Sequence, residues 1–463
     1  MKQIDFANGK IGQNVAEAAI PMLVAQVLNL LYSIVDRIYI GQIPGEGVLA
    51  LGGIGLCFPM IIMITAFTNL YGAGGSPLCS LERGRGDKKK ASHIMNTAFR
   101  LLILTGLIVM AAGYLFCTPL LKLFGASGMT MPYARTYMLI YLLGTIPSMI
   151  AVGMNPFINA QGFSGTGMLT VFIGAATNII LDPVFIFVFS LGVAGAAIAT
   201  VISQFLSAVF ALRFLTGNQA ELRISFRDFF RIDKKTSLDI MGLGLVSFIM
   251  QFTNSLVSVI CNHTLSAFGG DVYISVMTIV SSVRQILDTP VGAITDGASP
   301  VLSFNYGARK YGKVKEAIRI VLSWAVLYTL AVWILILLFP SWFIRIFSSD
   351  DTLLETAVPS LHLYFFAFVF QALQYSSQTV FKSLNMKRQA IFFSLFRKVI
   401  MVIPLTILLP RIGNLGPSGV FMAEPISNVI GGTACFVTMI FTVYRKLSAM
   451  DQADTRKNTP GSE

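Results

Sequence analysis

The sequence predicts an all-α polytopic membrane protein, with twelve transmembrane helices in two pseudo-symmetric six-helix lobes related as a parallel repeat. Three observations predict it. Apolar runs of roughly 20 residues recur along the whole chain, and each is long enough to cross a hydrocarbon layer. Only 12% of residues are charged and 55% are hydrophobic, with a mean hydropathy of +0.72; soluble domains carry about 25% charged residues. Landmarks of the first half return in the second at a nearly constant offset. The runs are continuous, whereas the strands of a transmembrane barrel alternate, so a barrel is excluded.

The segments follow in order. Residues 1–12 are polar and the first apolar run is too long for a signal core, so no cleavable leader is expected. Segments 1 to 6 fall near 15–40, 48–70, 94–117, 133–158, 168–189 and 193–215. The turn after segment 1 carries only Glu46, while the connection after segment 2 carries Arg83, Arg85, Lys88, Lys89 and Lys90. Residues 216–237 form the longest polar connection, with Arg223, Arg227, Arg231, Lys234 and Lys235. Segments 7 to 12 fall near 239–268, 273–303, 317–339, 355–381, 390–409 and 418–443. Arg309, Lys310, Lys313 and Lys315 follow segment 8, and Lys382, Lys387 and Arg388 follow segment 10. Asp350, Asp351 and Glu355 join Arg345 after segment 9, and Arg445 and Lys446 follow segment 12.

These boundaries divide the chain into an N-lobe (1–215), a linker (216–237), a C-lobe (238–450) and a polar tail (451–463). Short basic loops mark the cytoplasmic side of a membrane protein. Both termini and the linker are therefore expected in the cytoplasm, with the chain multi-pass in the inner (plasma) membrane. The same loops account for the net charge of +12, so membrane lipids rather than nucleic acid are the expected surroundings. A monomer is expected. The five cysteines are scattered through apolar segments with no CxxC spacing, and read as small buried hydrophobes.

The repeat rests on three landmarks. Gln26 and Asn29 answer to Gln251 and Asn254 (254 − 29 = 225). Ser76-Pro77 answers to Ser299-Pro300 (300 − 77 = 223), and Leu191-Gly192-x-x-Gly195 to Leu415-Gly416-x-x-Gly419 (419 − 195 = 224). Six spans per half give both halves one orientation. Transporters of this build hold substrate near the midplane between halves and rock one against the other.

A charge at bilayer depth costs about 2.5–3.5 kcal/mol on insertion scales and marks a functional site by default. Segment 1 carries Gln26, Asn29, Ser33 and Asp36 at spacings of three and four, on one helix face. Segment 5 reads Asn178-Ile179-Ile180-Leu181-Asp182-Pro183, with Asn178 and Asp182 sharing a face. Pro183 lacks an amide donor and frees the Ile179 carbonyl from its helical bond. Segment 6 adds Thr200. At the helical rise, Asp36, Asp182 and Thr200 all lie roughly 7–14 Å below the outer surface. Two carboxylates, an amide oxygen and a hydroxyl suit a hard cation or a proton, and without His or thiolate a transition metal is not expected. Adjacent carboxylates titrate as a pair, so Na+ and H+ would compete for one site. The bland alternatives are a polar packing seam for Gln26 and Asn29, and pairing with Arg37 for Asp36.

The second half is expected to lack a matching carboxylate. Offset 225 carries Asp36 to Cys261, and segment 11 holds Arg397 and Lys398, placed to snorkel to the cytoplasmic surface. Gln371 and Gln374 on segment 10 can bond a substrate but cannot take up a proton. Arg284 and Asp288, four apart, are expected to neutralise each other, and Glu424 to border a second-half cavity. Gln26, Asn29, Gln251, Asn254, Gln371, Gln374, Asp288 and Glu424 are the candidate cavity polar groups.

The chain resembles the multidrug and toxic compound extrusion (MATE) transporters over nearly its full length. The resemblance rests on the two six-span halves, Val35-Asp36-Arg37-Ile38-Tyr39-Ile40-Gly41, the segment-5 motif, and Ser299-Pro300-Val301-Leu302-Ser303-Phe304-Asn305-Tyr306-Gly307-Ala308. It implies secondary active efflux of small amphipathic, often cationic drugs by Na+ or H+ antiport, with no cofactor and no enzymatic reaction. It further implies a cation or protonation site at Asp36, Asn178, Asp182 and Thr200, in the bacterial branch whose ion site is in the N-lobe. Members that couple through C-lobe carboxylates on helices 7 and 10 are not matched, since Gln251 and Gln371 stand in those regions. The rival reading is a flippase for lipid-linked oligosaccharide or peptidoglycan precursors, which needs a strongly cationic cavity.

Overall fold

The computed structural model describes residues 3–225, 233–347, 351–413 and 415–457. Arg227 and Arg231 of the linker, Asp350 and the end of the polar tail lie outside the described residues. Every regular element among the described residues is helical. The first half runs α1 (Ile11–Gly41), α2 (Gly47–Gly55), α3 (Phe58–Gly84), α4 (Lys88–Leu123), α5 (Met131–Leu143), α6 (Thr145–Ala160), α7 (Ser164–Pro183) and α8 (Gly192–Thr216). The second half runs α9 (Lys234–Gly307), α10 (Tyr311–Leu338), α11 (Pro340–Arg345), α12 (Asp351–Phe365), α13 (Phe368–Ser383), α14 (Lys387–Leu395), α15 (Ile403–Leu408), α16 (Pro417–Ser427), α17 (Thr433–Met439) and α18 (Arg445–Lys457).

Among the described residues, eight helices are long and apolar enough to cross a membrane. The bent pairs α2/α3 (40°), α5/α6 (59°) and α12/α13 (44°) raise the number to eleven if each is one span. The protein is thus an all-α, multi-pass membrane protein. α9 is broken at Gly270, whose φ of 68° only glycine adopts readily. The helix beyond that break is not among the eleven; it carries Arg284, Asp288 and Asp296.

The chain forms two compact units. Unit one holds the described residues of Met1–Asp5 and Ile20–Phe248, and unit two those of Phe6–Ala19 and Ile249–Glu463. Phe99, Phe157, Leu102 and Met138 fill the core of unit one; Phe365, Phe421 and Ile344 fill that of unit two. Part of the polar connection after α8 packs back onto unit one. Ala220, Leu222 and Ile224 are buried, the Leu222 amide donates to Gln161 Oε1 (2.8 Å), and the Ser225 amide donates to Asn96 Oδ1 (2.7 Å). Arg83 and Lys88 flank Glu221. Burial raises the Glu221 carboxyl, yet these two cations hold it below the usual range.

The glycine landmarks of the repeat have one physical cause in both units. Gly192 and Gly416 open α8 and α16 with φ of 53° and 51°. One turn on, a Cβ on Gly195 would lie 2.7 Å from the Phe185 carbonyl carbon, and one on Gly419 would lie 2.6 Å from the Pro410 nitrogen. Only glycine lets each helix start against the end of the preceding one.

Candidate functional site

In unit one, α7 places Asn178 and Asp182 one turn apart, and α8 brings Thr200 beside them. Asn178 Nδ2 donates to Asp182 Oδ1 (3.1 Å) and to Thr200 Oγ1 (3.3 Å), while the Thr200 hydroxyl donates to the Ala196 carbonyl (2.9 Å). Asn178, Asp182 and Thr200 are 1%, 0% and 7% exposed. Asp36 reaches in from α1, with its carboxyl within hydrogen-bonding reach of Asp182. Such a bond needs a proton, so the pair is suited to sharing one or to taking a cation between its oxygens. Asp36 Oδ1, Asn178 Oδ1 and Asp182 Oδ2 are buried and accept no hydrogen bond among the described residues. Buried oxygens without donors are costly, and these three belong to the residues that α1 and α7 bring together here.

Local backbone chemistry shapes this site. Pro183 ends α7, and the backbone widens into a π-helical turn at Val184–Val188, a form frequent at functional sites. Gly195 lets α8 pack against that turn. Arg37, next to Asp36, lies over the Phe58 ring at 4.7 Å. Tyr32 and Tyr137 stand near enough to Asp36 to feel its charge, and Tyr141 lies near Tyr32 and bonds Gln204 and Ser148. Sequence reading missed these tyrosines. Tyr32 was findable, four residues before Asp36 on one helix face; Tyr137 and Tyr141 come from α5 and carried no local signal.

The other candidates scatter. Gln26 is half-buried and Asn29 exposed on α1. Gln251 is half-buried, with an Oε1 that accepts no hydrogen bond. Gln374 donates to the Phe393 carbonyl at 3.5 Å. Asn254, Asp288 and Glu424 line a cavity of 510 Å³ inside unit two, and Gln371 donates to Asp288 Oδ1 (2.8 Å).

One expectation for the second half is corrected there. Arg397 and Lys398 do not snorkel: their side chains are 4% and 7% exposed and bond Glu424 at 3.1 and 3.0 Å. A buried carboxylate supplies what the membrane surface would otherwise have to. The places that match the two aspartates carry no carboxylate, as expected, whereas the place that matches Thr200 does. Offset 224 carries Asp182 to Thr406 (406 − 182 = 224) and Thr200 to Glu424 (424 − 200 = 224). Cys261 Sγ and Thr406 Oγ1 lie 3.9 Å apart, so the counterparts of the two aspartates also meet. Arg284 bonds Glu424 (2.7 Å), Asp288 (3.2 Å) and the Tyr364 hydroxyl (2.6 Å).

Fold and site together define a multi-pass helical membrane transporter. The chain belongs to the MatE family, whose model matches residues 21–184 and again 247–408. The two matches begin 226 residues apart (247 − 21 = 226), close to the offset of the sequence landmarks. The chain is 23% identical over 440 residues to the multidrug export protein MepA of Staphylococcus haemolyticus (strain JCSC1435), covering 95% of this chain and 94% of that protein. It is 21% identical over 440 residues to MepA of Staphylococcus aureus (strain MRSA252), covering 95% of each. Its fold matches that of an outward-facing multidrug resistance MATE family transporter of the MOP superfamily, with a TM-score of 0.89, 22% identity, and 98% of this chain and 99% of that one covered. A MATE structure in the bent conformation matches with a TM-score of 0.90, at 22% identity and the same coverage.

Proposed function

We propose that this protein is a secondary active multidrug efflux transporter that exports small amphipathic compounds in exchange for Na+ or H+ by alternating access. The carrying observation is the pair of half-buried Asp36 and buried Asp182 with Asn178 and Thr200, where three buried oxygens lack donors. A proton or Na+ entering from outside occupies that place, changes the packing of α1 and favours release of drug outward. The ion must bind the two states with different affinity, because equal affinity shifts nothing.

The reading includes twelve spans in two six-helix lobes, the charged helix after Gly270 being the twelfth. The basic loops favour cytoplasmic termini in the plasma membrane, and the protein acts as a monomer among membrane lipids. The test is efflux of a fluorescent amphipathic dye from proteoliposomes holding the full chain. An inward Na+ gradient or an inward pH gradient, imposed separately, should drive export with at least one of them. No response to either would overturn the reading.

The flippase reading gains from Arg284, Arg397 and Lys398, which are more numerous and deeper than the sequence led one to expect. It loses because Glu424 and Asp288 stand among those cations. Scrambling of a fluorescent lipid-linked pyrophosphate in the same vesicles would favour it.

A further inference from the structure

The turn between α1 and α2 is tight. Gly45 has a φ of 75°, and a Cβ on Gly47 would lie 2.1 Å from the Gly41 carbonyl oxygen. Glycine at both places lets this turn present the exposed Glu46 to a further cavity of 510 Å³, lined wholly by unit one. That volume suits a small molecule. The other walls are the start of α5, the π-helical turn after Pro183 and the start of α8. Tyr133 stands near enough to Glu46 to feel its charge, and Tyr39 meets Phe187 edge-on at 6.3 Å. Ser190, also in the lining, has a φ of 54°, a costly backbone for a serine and one that clusters at ligand sites. Glu46 is the one charged residue of the lining, and among the described residues no cation pairs with it.

The cavity belongs to the repeat. Unit two has one of 800 Å³ whose lining includes Ser360 and Ser418, the counterparts of Thr136 and Ala194 in the first (360 − 136 = 224; 418 − 194 = 224). There the place of Glu46 is Gly270 (270 − 46 = 224), and His362 joins Glu355 in the lining. A carboxylate with aromatic rings and no basic residue is thus particular to unit one.

We propose that the unit-one cavity binds soluble alkylammonium compounds, at a place separate from the Asp36/Asp182 pair. Glu46 meets the cationic centre, and the Tyr133 and Phe187 rings add cation–π attraction. Ile186 and Val193 take the attached alkyl groups. A lipid amine is disfavoured, because its phosphate would meet no basic residue in the lining. With the termini cytoplasmic, as proposed above, the turn that carries Glu46 faces outward.

The test is a ligand-observed NMR titration of the purified full chain in detergent, with empty micelles subtracted and no gradient. The probes are choline and 3,3-dimethylbutan-1-ol, which share a shape but differ in one positive charge. Choline should bind about fivefold more tightly, as expected for one exposed ion pair with cation–π support. Glu46→Gln should remove that preference, Phe187→Leu should reduce it, and Asp36→Asn should leave it intact. Equal binding of the two probes by the unmodified chain would overturn the proposal. So would a preference that survives Glu46→Gln, or one that is lost in Asp36→Asn. If Glu46→Gln does not fold, the probe ratios of the unmodified chain and Phe187→Leu decide. Glycerophosphocholine, which adds a phosphodiester to the same head, should bind more weakly than choline; tighter binding would assign the cavity to a lipid headgroup and overturn the proposal. These outcomes concern binding alone, so they stand apart from success or failure of gradient-driven export.

Discussion

Asp36, Asp182 and Thr200 in unit one stand at the repeat positions that Cys261, Thr406 and Glu424 occupy in unit two. Around the first set, the described residues place an amide and a hydroxyl but no cation hydrogen-bonded to either aspartate. Around the second set, Arg284, Arg397 and Lys398 close on Glu424. A carboxylate held by guanidinium groups is a fixed part of its surroundings. A carboxylate pair without a cation must acquire one, or a proton, to be stable in an apolar place. One repeat thus holds a carboxylate pair without a bonded cation in one unit and an ion cluster in the other.

The largest effect expected is on coupling. Asp36→Asn and Asp182→Asn should each bring gradient-driven dye export to the level of empty vesicles while the protein still inserts, because an uncharged amide no longer distinguishes the ion-bound state. Normal export by both variants would erase the contrast between the units. Next is stability. Glu424→Gln leaves three buried cations facing too little negative charge and should destabilise unit two by about 3–5 kcal/mol, read by thermal unfolding in detergent. Asp182→Asn, which removes an unneutralised carboxylate, should raise the same midpoint or leave it unchanged. Opposite signs would sharpen the comparison, and equal losses would break it.

Where geometry rather than charge is shared, the units should behave alike. Gly195→Ala and Gly419→Ala each push a Cβ into backbone and should each cost about 1–3 kcal/mol by the same unfolding measurement. Thr200→Ala loses one neutral hydrogen bond to Asn178 (3.3 Å), worth about 0.5–1.5 kcal/mol. It should shift the coupling-ion concentration for half-maximal export several-fold without abolishing export. The smallest effect lies outside both sites. Asp233, before α9, is lowered to about 2 by hydrogen bonds from the Thr236 hydroxyl and the Lys235 amide. A lowered carboxylate stabilises above its unfolded value of 3.8 and loses that contribution as pH falls through about 2. The stability gap between the unmodified chain and Asp233→Ala should therefore narrow steadily on acidification.

Much of the fold was legible because membrane spans announce themselves by length and apolarity, without reference to any neighbour. Among the described residues, eight of the expected spans are matched by single helices of sufficient apolarity, and three more by bent pairs if each pair is one span. The helix after Gly270 carries Arg284, Asp288 and Asp296 and is not among them. In the site, Asn178 and Asp182 were legible because they sit one turn apart in a single helix, and Thr200 because the helical rise puts it at the depth of the two aspartates. Tyr137 was not, since its approach to Asp36 joins α5 to α1 and leaves no periodic trace.

The sequence by itself determined the helical membrane class, the repeat offset and the carboxylate-amide motif, all of which are local patterns or copies of them. Only the tertiary structure decided which charges neutralise which. Arg284 and Glu424 are 140 positions apart (424 − 284 = 140) yet bond at 2.7 Å. Composition cannot tell a snorkelling lysine from a buried one, because electrostatic energy depends on distance and burial rather than on order along the chain.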